Sequence, residues 1–216
     1  LGPCGHALYV LSSDYQSTNV SLLGWDGEVL SHSIVSSASE DPGLSVALSG
    51  DVSAPTSRTL GGELVLIDRY PAAVLSFVDP RSATVRAQLS VQTGFASNPQ
   101  DYLELSPDKA YVPRYSPNPE PGREPLDEGS DVLVVDPANV ALLSRIDLGA
   151  AMDGAEPGIL PRPSRMVAAG DYVYVLLSAY SLDFSRSGDG RVAVLDARSD
   201  ELVSSFELAG ARGCYG

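Results

Sequence analysis

Short apolar runs recur along this chain, and the strongest of them end in aspartate. The four are NVSLLGWDGEVL, AVLSFVDPRSATV, DVLVVDPANVALL and RVAVLDARSDELV, with Asp26, Asp79, Asp136 and Asp196 spaced by 53, 57 and 60 residues. In front of each lies another segment rich in Tyr, Val and Leu: ALYVLS, GELVLID, KAYVPRY and YVYVLLS. Behind come segments such as VRAQLSV, LLSRIDL and LVSSFEL, in which apolar and polar positions alternate. Aromatic and β-branched runs of this length predict strands, and a period of two predicts a sheet wet on one face. The Asp-terminated runs are apolar on both faces, as in Val132, Leu133, Val134 and Val135, which a strand requires when its sheet is covered on both sides. A four-strand unit repeated at this spacing is the size of one propeller blade. The pattern therefore predicts an all-β fold, a β-propeller with about four blades of four-stranded antiparallel sheet, over approximate segments 7–50, 51–95, 96–160 and 161–210.

The four aspartates read as turn formers. Asp79-Pro80 and Asp136-Pro137 place Asp and Pro where a type I turn favours each. The single helix-like stretch, Ala150 to Glu156, contains Gly154 and runs into Pro157, so at most one turn of helix is expected. The first unit starts at its Tyr-Val strand, Ala7 to Leu11, with no inner strand before it, and the last ends at an outer strand near Leu208. We expect a partial ring belonging to a six- to eight-bladed propeller, with the missing blades supplied by another chain segment. The alternative is a self-contained four-bladed ring clasped by Cys4 and Cys214. These two cysteines either bridge each other, as an oxidising compartment allows, or pair elsewhere or stay free. Their separation does not suit a zinc site, which wants close cysteine pairs.

Charge narrows the partners. Asp and Glu outnumber Lys and Arg by 28 to 14, so the field repels phosphate backbones and anionic lipid, and no nucleic-acid partner is expected. No apolar stretch is long enough for a membrane-spanning helix. The chain opens at Leu1 rather than Met, has Lys109 as its one lysine, and is rich in Ser, Gly, Pro and Tyr. We read this as an extracytoplasmic protein, of the periplasm or outer cell surface, with a leader or lipid anchor upstream.

The blade pattern, with ALYV, KAYV and VYVLL followed by VSLLGWD, VLVVDP and VAVLD, resembles the YVTN-type β-propeller repeats of exported bacterial proteins. The resemblance runs over nearly the whole chain and is strongest in NPQDYLELSPDKAYVPRY followed by SDVLVVDP. It implies a scaffold shared by adhesion-like, carrier-like and lactonase-like proteins, some lipid-anchored, and so does not fix an activity.

In a propeller, the loops from second to third strand and from outer strand to the next inner strand gather on one face. Here that face receives SSDYQSTN, SPNPEPGREPLDEGS, SAYSLDFSRSGDG and the connections ending GFASNPQ and GILPRPSRM. Long loops on a rigid scaffold are where recognition resides. Arg114, Tyr115, Tyr180 and Phe184 form a candidate aromatic and guanidinium platform able to stack on a ring or clamp a carboxylate, with Arg123 in the longest loop. Against this stands the reading that Tyr115 and Tyr180 pack between blades while Arg114 pairs with a loop carboxylate. Asp127, Glu128 and Asp131, and Asp183 with Asp189, are weak candidate ligands for calcium, the one cofactor considered, and match no strong calcium motif; solvated acidic loops are the alternative. His6 and His32 are the only histidines, and neither sits in the context of a nucleophile triad; GxSxG, HExxH, Walker and dinucleotide fingerprints are absent. The expectation is a non-catalytic binding or scaffolding module of the cell envelope that recognises a protein or glycan. The rivals are a lactonase-like hydrolase with a carboxylate or cation site at the channel mouth, and a structural subunit of a larger assembly.

Overall fold

A computed structural model describes residues 7–40 and 43–212. Cys4, Cys214 and His6, and with them the disulfide expectation, lie outside the described residues. The chain forms a series of antiparallel meanders. The first sheet is β1 (Ala7–Ser13), β2 (Thr18–Gly24) and β3 (Val29–Ser36), in that order. The second is β4 (Val52–Ser53), β5 (Leu64–Asp68), β6 (Val74–Asp79) and β7 (Thr84–Ser90). The third is β8 (Leu103–Ser106), β9 (Lys109–Pro117), β10 (Gly129–Asp136) and β11 (Ala141–Ile146). A 3-10 turn at Gly149–Met152, where the sequence allowed one turn of helix, and β12 (Ile159–Leu160) lead into the fourth sheet. There β13 (Pro163–Ala169), β14 (Tyr172–Leu177), β16 (Asp189–Asp196) and β17 (Glu201–Arg212) pair in order, while β15 (Tyr180–Ser181) pairs with β12. The first sheet has three strands among the described residues, and β1 corresponds to the second strand of the other sheets.

Strand periodicity explains how the sheets stack. Side chains alternate between faces, so each middle strand feeds two interfaces. Leu64 and Leu66 of β5 pack toward the first sheet with Val20, Val35 and Val78, whereas Val65 and Ile67 pack toward the third with Phe77, Val112 and Leu133. In β10, Leu133 and Val135 face the second sheet while Val132 and Val134 join Val173, Val175 and Leu195 of the fourth. Three dry layers thus separate four sheets, and the runs that are apolar on both faces are the ones covered on both sides.

Each Asp-terminated run closes in the expected turn. Arg81 N–H donates to Asp79 Oδ1 at 2.7 Å, Asn139 N–H to Asp136 Oδ1 at 2.9 Å, Arg198 N–H to Asp196 Oδ1 at 2.8 Å and Glu28 N–H to Asp26 Oδ1 at 3.2 Å. In the last three sheets a left-handed residue follows, at Ala83, Val140 and Asp200, and the strand pair slips by a bulge beside it. These turns are short and lie at one end of the strands. Most of the long connections lie at the other, the β4–β5 connection of residues 54–63 being the exception.

Candidate functional site

The long-connection face is ordered by side chains that reach between loops. Asp127 folds the Pro-rich loop between β9 and β10 around itself, accepting the N–H groups of Gly122 at 2.9 Å, Arg123 at 2.8 Å and Glu124 at 3.0 Å. Those donors hold its pKa below the usual carboxylate range. At the loop's neck Gly129 has φ +70°, and a Cβ there would meet Ser116 O at 2.4 Å and the Phe95 ring at 2.5 Å, so only glycine fits. Beside the fourth sheet, the separate two-stranded pair of β12 and β15 holds the outer-to-inner connection against the loop that carries Phe184.

Arg114 belongs to this scaffolding. It is fully buried and pairs side-on with Asp131, Nε to Oδ1 at 2.8 Å and Nη2 to Oδ2 at 2.7 Å. It also donates to Leu126 O at 2.7 Å and to Thr93 Oγ1, and its guanidinium lies 5.0 Å from the Phe95 ring centroid. Breaking such a pair strands a buried charge at a cost of about 3–5 kcal/mol, so Arg114 is not free to clamp a ligand. The cation beside the expected aromatic platform is instead Arg162. Its guanidinium lies 4.3 Å from the Phe184 ring centroid and 5.3 Å from that of Tyr115, and Nη2 donates to Ser181 O and Leu182 O at 3.1 and 2.9 Å. Tyr115 and Phe184 stack with ring centroids 6.2 Å apart, and Tyr180 meets Phe184 at 5.7 Å. Tyr115, Tyr180 and Phe184 are therefore brought together, with Tyr115 buried and Phe184 still 54% exposed. Arg123 projects to the surface and pairs with Glu120.

The carboxylates considered for calcium have partners within the chain. Glu128 pairs with Arg145 at 2.7 Å, Asp131 with Arg114, and Asp127 with its loop amides. Asp183 accepts the hydroxyls of Ser181 and Ser185 at 2.8 Å each, and Asp189 lies 3.5 Å from Arg212. Among the described residues, no three or more His, Cys, Asp or Glu side chains group to hold a metal ion.

A second cluster, which sequence reading missed, lies where the inner strands converge. Asp101 is fully buried and accepts Thr56 N–H and Oγ1–H at 2.9 and 2.6 Å from the second sheet and Met166 N–H at 3.0 Å from the fourth. One carboxylate thus joins three consecutive inner segments. Beside it, Arg165 Nη1 donates to Gln100 O at 2.9 Å, and Arg69, paired with Asp51, places Nη1 3.5 Å from Gln100 Oε1. The loop segments GFASNPQ and GILPRPSRM had marked this neighbourhood by their length, but nothing local in the sequence joins residues so distant along the chain.

No protein-family model and no curated protein matches this chain. Solved structures do. Dihydro-heme d1 dehydrogenase NirN, in complex with DHE, aligns with a TM-score of 0.52 and 13% identity over 96% of this chain, which spans 38% of that protein. A protein of unknown function from Bacteroides caccae aligns with a TM-score of 0.57 and 8% identity over 98% of this chain, which spans 67% of it. The successive four-stranded meanders and these likenesses define a β-propeller. Identities this low speak to the fold alone. Among the described residues no helix is long and apolar enough to cross a membrane.

Proposed function

We propose that this propeller is a non-catalytic binding or scaffolding module of the bacterial envelope, of the YVTN-repeat kind and held outside the cytoplasm, which recognises a protein or glycan through its long-loop face. The observation that carries the reading is the combination of a rigidly bonded loop framework with aromatic tips left in solvent. Tyr15 in the β1–β2 turn, Tyr70 in the β5–β6 turn and Phe184 in the β14–β16 loop are 83%, 58% and 54% exposed, and all three connections leave the strands at this end. Aromatic side chains offer large contact area at low entropic cost, which is why they anchor recognition surfaces. The charged groups beneath them, Arg114, Asp127 and Asp131, are engaged in holding the loops, which favours recognition over catalysis. The test is capture from bacterial envelope extracts with the wild-type chain and with a Tyr15→Ser, Tyr70→Ser, Phe184→Ser variant. A partner held by the wild type and lost by the variant is expected. A capture profile unaffected by the three substitutions overturns the reading.

The first sheet favours a second reading, in which the chain is one part of a larger ring or assembly. Along β1 runs a groove of about 560 Å³, lined by Leu8, Tyr9, Leu11, Trp25, Pro55 and Arg58. The Tyr9 hydroxyl is buried there with no hydrogen-bond partner. A strand supplied from elsewhere would complete the sheet and fill this space.

A further inference from the structure

Arginines in this acidic chain mostly answer a carboxylate. Arg86 pairs with Glu63, Arg114 with Asp131, Arg145 with Glu128, Arg191 with Glu207 and Arg198 with Asp171. Arg165 is one of those that do not. It is half-buried on the innermost strand of the fourth sheet, and its guanidinium makes one hydrogen bond, from Nη1 to the Gln100 carbonyl. Among the described residues it meets no carboxylate. Its obvious counter-ion, the adjacent Asp101, is turned inward and taken up by Thr56, Met166 and its neighbour Tyr102. A second guanidinium approaches the same residue from the other side. Arg69 gives Nε and Nη2 to Asp51 and directs Nη1 at the Gln100 side chain. Gln100 is 4% exposed and is itself fixed, by its N–H to Pro113 O and by Nε2 to Asn98 Oδ1, so the spacing between the two cations is set by a rigid part of the third sheet.

The geometry points to an oxyanion site at the axial end of the inner strands, in which Arg165 supplies a fork of unspent N–H donors and Arg69 a second positive edge across Gln100. The ligand is a carboxylate of a small molecule. The planar carboxylate matches the guanidinium fork, and the overall field, from a net charge of −14, opposes a doubly charged phosphate more than a singly charged acid. The unspent nitrogens of Arg165 are not among the buried side-chain atoms that lack a partner, so they stay open to solvent and to an incoming anion, while the half-buried setting weakens the screening of its charge. The site rests on reading the long-loop face as a binding face, and it names the chemistry at that face's centre.

The test is an NMR titration of the chain with acetate, with inorganic phosphate and sodium chloride as parallel arms at matched ionic strength. The Gln100 amide and the Arg69 Nε–H resonances are expected to move and saturate with acetate in the millimolar range. In Arg165→Gln, saturation is expected to need about tenfold more acetate. Arg165→Lys, which keeps the charge and loses the fork, falls between the two. Shifts that follow ionic strength whatever the anion, or that survive Arg165→Gln, overturn the site. Saturation at lower phosphate than acetate overturns its assignment to carboxylates. Acetate binding reads Arg165, Arg69 and Gln100, and capture from envelope extracts reads Tyr15, Tyr70 and Phe184, so saturation by acetate with no captured partner overturns the macromolecular reading alone, and a captured partner with no acetate saturation overturns the site alone.

Discussion

Aspartate serves opposite ends in this chain, and its surroundings decide which. Asp79, Asp136 and Asp196 accept N–H groups of their own turns, which holds each below the usual carboxylate range. Asp183 is drawn down to about 2 by the Ser181 and Ser185 hydroxyls and the Ser185 N–H. Asp68 goes the other way, because burial raises its pKa more than the two hydrogen bonds from Ser49 lower it. A carboxylate with a depressed folded pKa stabilises the fold above its unfolded value of about 3.9 and stops doing so as pH falls through the folded value. Asp68 has the reverse sign, with stability rising as pH falls through its raised folded pKa toward the unfolded one. The midpoint of urea unfolding should therefore decline steeply only below about pH 4, after the Asp68 contribution has been recovered. Asp183→Asn should lower that midpoint at neutral pH, and its curve should meet the wild-type curve as pH falls through about 2. Curves that stay parallel to the acid limit would show that this carboxylate contributes nothing.

At the level of elements, the repeated turn after each Asp-terminated strand carries a local strain that can be relieved. Ala83 sits at φ 57°, where its Cβ crowds the backbone, and glycine does not. Ala83→Gly should raise unfolding stability by about 0.5–1 kcal/mol, measured by urea denaturation, despite the greater freedom of glycine in the unfolded chain. A loss of stability would mean that the Ala83 methyl packs usefully. These turns and the paired strands beside them were legible in the sequence because Asp, Pro and a doubly apolar run lie within a few residues of one another. Strand β4, only Val52–Ser53, and the β12–β15 pair were not, since their pairing is decided by distant partners. The platform shows the same limit at a single step of chain. Arg114 and Tyr115 are consecutive in one strand, so their side chains leave on opposite faces, one toward Asp131 and Phe95 and the other toward Phe184. Arg162 replaces Arg114 there, and it comes from a connection whose length was informative and whose side-chain directions were not.

At the scale of the molecule, the second and third sheets have neighbours on both faces, whereas the first and fourth have one described neighbour each. Val10 of the first sheet and Tyr172 and Phe206 of the fourth are correspondingly exposed. Native-state amide exchange should be slowest in β6 and β10 and faster in β1 and β17, because local opening costs less where a sheet is covered on one side. Uniform protection across all four sheets would instead mark a single all-or-none unit. Asp101, tied to three inner segments, is the contact that works toward such unity. The separation of short turns from long connections has a further consequence. Lengthening a connection adds a closure cost that grows only as the logarithm of its length, and at this end of the strands it leaves the three dry layers untouched. Relatives descended from a common ancestor can therefore diverge quickly in what they recognise while keeping the sheet stack almost unaltered, and their insertions and deletions should concentrate in the β3–β4, β7–β8, β9–β10 and β14–β16 connections.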